Sequence, residues 1–245
     1  RRAVDGGTGG VPLRPGEESL ATGERGAMMD RMHPVFERLG ESRVVAVVMI
    51  EDEEHAVPLA RALLAGGVSA MELTLRSDGA LEGMKRIGSE VPEMILGAGT
   101  VLHEDQVPAV RAAGAVFGVA PGTNPRVLAA AQEIGLPFAP GIATPSDIEL
   151  ALESGCDVLK FFPAEGMGGL EYLASIAAPY RHLGLRYIPL GGVHEGNLTA
   201  YATSPDILAV GGSWLAPKAL LNAGDWSGVE ALARRAAELV GGTGD

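Results

Sequence analysis

One pattern repeats from residue 44 to the end of the chain: a short apolar run rich in β-branched residues, a turn, then an Ala/Leu-rich amphipathic stretch closed by glycine. The runs begin near Val44, Ala70, Ile95, Phe117, Phe138, Val158, Arg186 and Leu208. Their mean spacing of about 23 residues holds one strand and a three-turn helix with little loop left over. Helical spacing of apolar residues falls at 53–65, 78–90, 104–113, 125–134, 146–154, 169–178, 196–203 and 227–240. Eight strand–helix units leave no room for a second core. The spacing therefore predicts an α/β chain folded as a compact (β/α)8 TIM barrel over roughly residues 40 to 240. No Gly-x-Gly-x-x-Gly turn follows the first run, which speaks against a doubly wound open sheet.

Residues 1–27 carry seven Gly and two Pro, with no aromatic residue and no apolar period. Such a segment cannot bury enough surface to offset its ordering entropy, so it reads as a disordered extension. Met32, Val35, Phe36 and Leu39 then share helical spacing, predicting an N-terminal helix over Asp30 to Leu39 that Gly40 stops. The domain reading is a 1–27 extension followed by one barrel domain over 28–245. A net charge of −12 has the wrong sign for a nucleic-acid or anionic-membrane partner. No apolar run is long enough to span a bilayer, and the Gly-rich stretch after Arg1-Arg2 is unlike an export signal. Cys156 stands alone, which excludes an intrachain disulfide and a cysteine-cluster metal site and fits a reducing, cytoplasmic setting.

The second run reads Met71-Glu72-Leu73-Thr74-Leu75-Arg76. Strand side chains alternate, so Glu72, Thr74 and Arg76 share one face. The apolar set must pack under the helices, which aims a carboxylate, a hydroxyl and a guanidinium into the lumen. The sixth run holds Lys160, one of three lysines beside Lys85 and Lys218, in a chain whose other basic residues are all arginine. A nucleophilic amine must shed its proton, which a guanidinium does not do, so a lysine inside an aromatic strand suits that chemistry. A salt-bridged lysine is the alternative. Runs two and six are both even-numbered, and alternate strands of a barrel share layers, so Glu72 and Lys160 can meet across one level. Gly191-Gly192 closes the seventh run and Gly211-Gly212-Ser213 the eighth, the positions where barrels cradle phosphate on backbone N–H groups. His33, His55, His103, His182 and His194 show no paired ligand spacing. Cys156 and Trp214 read as packing residues, and Asp147 and Glu149 as solvated helix charges.

In order along the chain, Glu72-Leu73-Thr74-Leu75-Arg76, Gly97-Ala98-Gly99-Thr100-Val101, Pro121-Gly122, Pro140-Gly141-Ile142, Lys160-Phe161-Phe162-Pro163-Ala164-Glu165 and Gly211-Gly212-Ser213-Trp214 complete a set. With them the chain resembles the class I KHG/KDPG aldolases over about residues 44 to 240. The resemblance implies a carbon–carbon lyase that cleaves 2-keto-3-deoxy-6-phosphogluconate to pyruvate and glyceraldehyde 3-phosphate, using neither metal nor organic cofactor. It implies a Schiff-base lysine at Lys160 and a proton-shuttling carboxylate at Glu72. Arg76, Thr100 and Pro121 would contact the pyruvyl carboxylate and keto region, Phe162 would wall the lumen, and Gly191, Gly192, Gly212 and Ser213 would hold the phosphate. The only partners implied are the keto acid phosphate and sister chains of a homotrimer.

Two departures qualify the match. Leu190 stands where the gluconate-type enzymes usually carry a Thr that reads the C4 hydroxyl, and an aliphatic side chain offers no hydrogen bond there. The galactonate epimer and 4-hydroxy-2-oxoglutarate therefore stay open as substrates. The first run ends Met49-Ile50-Glu51-Asp52, without the basic residue that some relatives have. A phosphate-sugar isomerase or a non-catalytic sugar-phosphate sensor would keep the glycine cradle without needing both Glu72 and Lys160.

Overall fold

The computed structural model describes residues 32–241. The chain divides into two units, and the second, His33–Asp245, holds every element below. The extension expected over 1–27 lies outside the described residues.

Helix α1 (Pro34–Ser42) precedes β1 (Val44–Val48), and strands and helices then alternate: α2 (Ala56–Ala65), β2 (Ala70–Thr74), α3 (Ala80–Glu90), β3 (Ile95–Gly99), α4 (Gln106–Ala112), β4 (Phe117–Val119) and α5 (Pro125–Glu133). The fifth run is split into β5 (Phe138–Ala139) and β6 (Gly141–Ile142), after which come α6 (Pro145–Glu153), β7 (Val158–Phe161), α7 (Gly169–Ala177), β8 (Arg186–Pro189), α8 (Glu195–Ala202) and β9 (Val210–Gly212). A short α9 (Lys218–Ala223) and the long α10 (Trp226–Gly241) follow. Helix α1 begins at Pro34, four residues later than its apolar spacing suggested, because His33 caps it by accepting the Val35 N–H on Nδ1.

All strand pairs are parallel. Their hydrogen bonds make two sheets, a six-stranded one in the order β5-β4-β3-β2-β1-β9 and a three-stranded one in the order β6-β7-β8. This corrects the expectation of one unbroken eight-stranded ladder. Pro140 has no N–H to donate and divides the fifth run, although its carbonyl still accepts the Lys160 N–H at 2.8 Å. At the other seam β9 begins at Val210, later than expected, and an isolated bridge between Tyr187 and Ile207 joins β8 to the segment leading into it.

The helices cover the strands with the apolar faces that their spacing predicts. Helix α2 buries Val57, Leu59, Ala60 and Leu63, and α3 buries Met84 and Ile87. Met71 and Leu73 of β2 lie in this same apolar core at 0% exposure. That packing forces the intervening Glu72 to the opposite face of the sheet. Asp147 is no free surface charge: its carboxylate accepts the Thr144 N–H at 2.8 Å and the Ala143 N–H at 3.0 Å, closing a capping box at the start of α6. Among the described residues no helix is long and apolar enough to cross a membrane.

Candidate active site

A cavity of about 200 Å³ opens where the strands end. Its wall includes Glu72, Arg76, Thr100, Pro121, Lys160, Phe162, Leu190, Gly191, Gly192, Gly212 and Ser213, so every site residue expected from sequence reaches one space. The topology explains this. Glu72 lies within β2 and Lys160 within β7, while Thr100, Phe162, Leu190 and Ser213 each follow the last residue of β3, β7, β8 and β9. Ligand sites of parallel α/β sheets form at that carboxyl edge.

At the floor, Lys160 Nζ donates to Glu72 Oε1 at 3.0 Å and to Oε2 at 3.3 Å, with the two side chains only 6% and 3% exposed. Strands of different sheets supply the two charges. Taking both out of water is costly, and only their mutual pairing makes the burial tolerable. The Phe162 ring lies with its centroid 5.6 Å from Lys160 Nζ, so its negative face adds to the field holding the amine. Gly99, aligned with Thr74 on the adjoining β3, leaves the space that Glu72 fills: a methyl group there would collide with the Glu72 carboxylate. Gly99→Ala should therefore push the carboxylate off the amine, lowering kcat by about 10²-fold. Steady-state kinetics beside an unchanged far-ultraviolet circular dichroism spectrum checks this.

Arg76 lies beyond the strand. Strand β2 ends at Thr74, the chain then turns with the Arg76 N–H on Thr74 O at 2.8 Å, and Arg76 is an exposed residue that lines the cavity. Among the described residues it makes no ion pair, which leaves its fork of donors available to an anion. Thr74 points inward as expected, but its hydroxyl donates to Val48 O at 3.1 Å and ties β2 to β1. Thr100 adopts φ +58°, a left-handed conformation that costs a non-glycine residue about 1–3 kcal/mol and that active sites retain where position matters.

Gly191 and Gly192, which also line the cavity, have φ +95° and +85°, a path that favours glycine. Leu190 is 5% exposed and packs on Gly211, where a methyl group would overlap its side chain. Trp214 lies across Gly212 and packs on the core, as expected. The sequence alone did not assign Val47 or Val193 to the wall. Val47 could have been found, since it aligns with Glu72 in the parallel register and must share its face.

Glu51, at the end of the first run, is not an uncompensated charge. Lys218 Nζ sits 2.7 Å from its Oε1, and that hydrogen bond and charge hold the Glu51 carboxyl below the usual range. His194 caps α8 by accepting the Gly196 N–H on Nδ1, and the His55 ring meets Trp226 edge-on at 5.4 Å between centroids. Among the described residues no group of three or more His, Cys, Asp or Glu could hold a metal ion. Burial, reinforced by the charge of Asp157, pushes the Cys156 thiol up to about 12. At pH 8 its thiolate fraction is then on the order of 10⁻⁴. Iodoacetamide should leave Cys156 unmodified in the folded protein and alkylate it after denaturation, as intact-mass measurement would show.

The family model for KDPG and KHG aldolase matches residues 35–232. A 2-dehydro-3-deoxy-phosphogluconate aldolase of Treponema pallidum is 47% identical over 210 residues, covering 86% of this chain and 99% of that protein. The 2-keto-3-deoxy-6-phosphogluconate aldolase of Zymomonas mobilis ZM4, solved with 3-phosphoglycerate, aligns with a TM-score of 0.78 at 38% identity, covering 85% of this chain and 97% of that one. A KDPG aldolase from Legionella pneumophila, solved with pyruvate captured at low pH as a covalent carbinolamine, aligns with a TM-score of 0.77 at 35% identity, covering 82% and 95%.

Proposed function

Because this chain belongs to the KDPG and KHG aldolase family, we propose that the cavity around Lys160 is the place where it builds and hydrolyses a Schiff base. The protein is an aldolase, a carbon–carbon lyase that cleaves 2-keto-3-deoxy-6-phosphogluconate to pyruvate and glyceraldehyde 3-phosphate. One observation carries the assignment of residues: an amine and a carboxylate, 3.0 Å apart and almost wholly removed from solvent, at the floor of a cavity open to small molecules.

The steps follow from that pair. Glu72 takes a proton from the Lys160 ammonium, and the freed Nζ lone pair adds to the C2 keto carbon to give a carbinolamine. Glu72 returns the proton to the new hydroxyl, water leaves, and an iminium remains. The iminium draws electrons from the adjoining bonds. When Glu72, directly or through one water, removes the C4 hydroxyl proton, the C3–C4 bond pair flows into an enamine and glyceraldehyde 3-phosphate departs. The protonated Glu72 then delivers its proton to C3, and water hydrolyses the iminium to pyruvate and free Lys160.

The remaining wall orients the substrate. Arg76 and the Thr100 hydroxyl bind the pyruvyl carboxylate, Pro121 bounds the keto region, and the Phe162 ring closes the lumen beside the nitrogen. The phosphate rests on Gly191, Gly192, Gly212 and Ser213, from two neighbouring strand ends. We also infer that the two sheets complete one (β/α)8 barrel, the fifth run passing through Pro140 and the last seam closing at the Tyr187–Ile207 bridge. A homotrimer in the cytoplasm is part of the same reading, supported by the family resemblance.

Leu190 bears on the choice of substrate. Its side chain has no hydrogen-bonding atom, so Leu190 itself can sense the C4 configuration only through shape. A coupled assay of pyruvate release on 2-keto-3-deoxy-6-phosphogluconate, its galactonate epimer and 4-hydroxy-2-oxoglutarate tests this. The phosphorylated gluconate should be cleaved, with a modest preference over its epimer. Failure to release pyruvate from any of the three would overturn the assignment.

A further inference from the structure

The turn assigned to the phosphate is braced from outside the cavity. Glu165 follows β7, and its N–H donates to Gly191 O at 2.9 Å, while the Ala164 N–H donates to Leu190 O at 2.7 Å. A methyl group on Gly192 would come within 2.5 Å of Glu165 Cβ, so the turn rests on that side chain. The Glu165 carboxylate is directed back onto the fold. It accepts a hydrogen bond from the Tyr201 hydroxyl, and its Oε1 lies 3.1 Å from where a Cβ on Gly169 would stand, at the start of α7. Tyr201 is 2% exposed and belongs to α8, the helix that the same turn leads into. The first turn of α8 holds the loop a second time: Asn197 Nδ2 donates to Gly192 O at 3.4 Å, and its Oδ1 accepts the His194 N–H at 2.8 Å. Neither Tyr201 nor Glu165 is among the residues lining the cavity.

We propose that Tyr201, acting through Glu165, is a positioning residue for the phosphate end of the substrate. Its hydroxyl fixes the side chain that floors the Gly191–Gly192 turn and keeps a carboxylate from swinging toward a phosphate of the same sign. Backbone N–H groups bind an anion well only when already aimed at it, and a freed floor lets them wander. The inference rests on the reading of Gly191 and Gly192 as the phosphate cradle. It adds two residues that touch no substrate.

Kinetics on substrates with and without phosphate test it. Tyr201→Phe should raise KM for 2-keto-3-deoxy-6-phosphogluconate about tenfold or more, with kcat changed less than about twofold. The inhibition constant of inorganic phosphate should rise in parallel. Both constants for 4-hydroxy-2-oxoglutarate, which carries no phosphate, should hold. Glu165→Gln keeps an acceptor for the hydroxyl and should stay near the unsubstituted protein, whereas Glu165→Ala should repeat the Tyr201→Phe result. Glu165 is exposed, so that pair gives the answer even if Tyr201→Phe fails to fold. Equal losses on both substrates mark a merely structural role and overturn the proposal, as does no loss on either. If inorganic phosphate does not compete with substrate in the unsubstituted protein, the cradle reading itself is what fails. That result differs from a phosphate-sensitive protein whose variants behave normally.

Discussion

Lys160→Arg should lower kcat for aldol cleavage on the order of 10⁴-fold or more while the protein stays folded. The substitution separates chemistry from stability. Removing the cation altogether would leave the Glu72 carboxylate buried without a partner, which typically costs about 3–5 kcal/mol. A guanidinium still pairs with Glu72, so the charge balance at the cavity floor survives. It holds its proton, however, and cannot condense with a ketone to a Schiff base of the kind the reaction needs. The larger planar group crowds the Phe162 ring and lowers Tm by a few degrees. Coupled pyruvate release and a thermal melt on the same preparation give both numbers, and cleavage within tenfold of the unsubstituted rate would remove Lys160 from the mechanism.

Glu72→Gln is the second large effect. The amide nearly matches the carboxylate in shape, keeps an oxygen facing Lys160 Nζ and still fits the space left by Gly99, so the floor of the cavity keeps its form. It can no longer carry a proton between nitrogen, oxygen and carbon. The expected loss in kcat is about 10²–10⁴-fold, the usual contribution of a positioned acid–base group. Imine formation with pyruvate should be slowed rather than abolished, because solvent can move protons at a lower rate. A variant with full kcat would show that another group shuttles the proton, and one in which Lys160 no longer forms any imine would show that Glu72 serves chiefly to place the amine.

Much of this was legible in the residue order, for physical reasons that differ from site to site. Strands buried on both faces read as continuous apolar runs, and β1, β2, β3, β4, β7 and β8 begin at the expected residues. Glu72 and Lys160 stood out because a buried sheet tolerates a charge only with a partner, and the two are each other's partner at 3.0 Å. What failed was extrapolation. Alternation holds only while the strand lasts, so Arg76, two residues beyond the end of β2, reaches the cavity wall from a turn and not from the strand. The apolar pattern of the fifth run is continuous through Pro140, but its missing N–H divides the strand between two sheets. The Thr144-x-x-Asp147 spacing is a capping signature, and Asp147 works through that position as well as its charge.

Other features need the fold itself. Helix α9 spans six residues, too few to show a period. The fit of Leu190 on Gly211 pairs neighbours 21 residues apart, and the Tyr201–Glu165 hydrogen bond joins residues 36 apart. Their sequence separation carries no signal of contact.

The most direct test of the account is to incubate the protein with pyruvate and borohydride, digest it, and locate any added mass by peptide mass spectrometry. A reduced pyruvyl adduct on the peptide containing Lys160, dependent on pyruvate and absent from Lys160→Arg, is the predicted result. An adduct confined to Lys85 or Lys218, or none at saturating pyruvate, would contradict it.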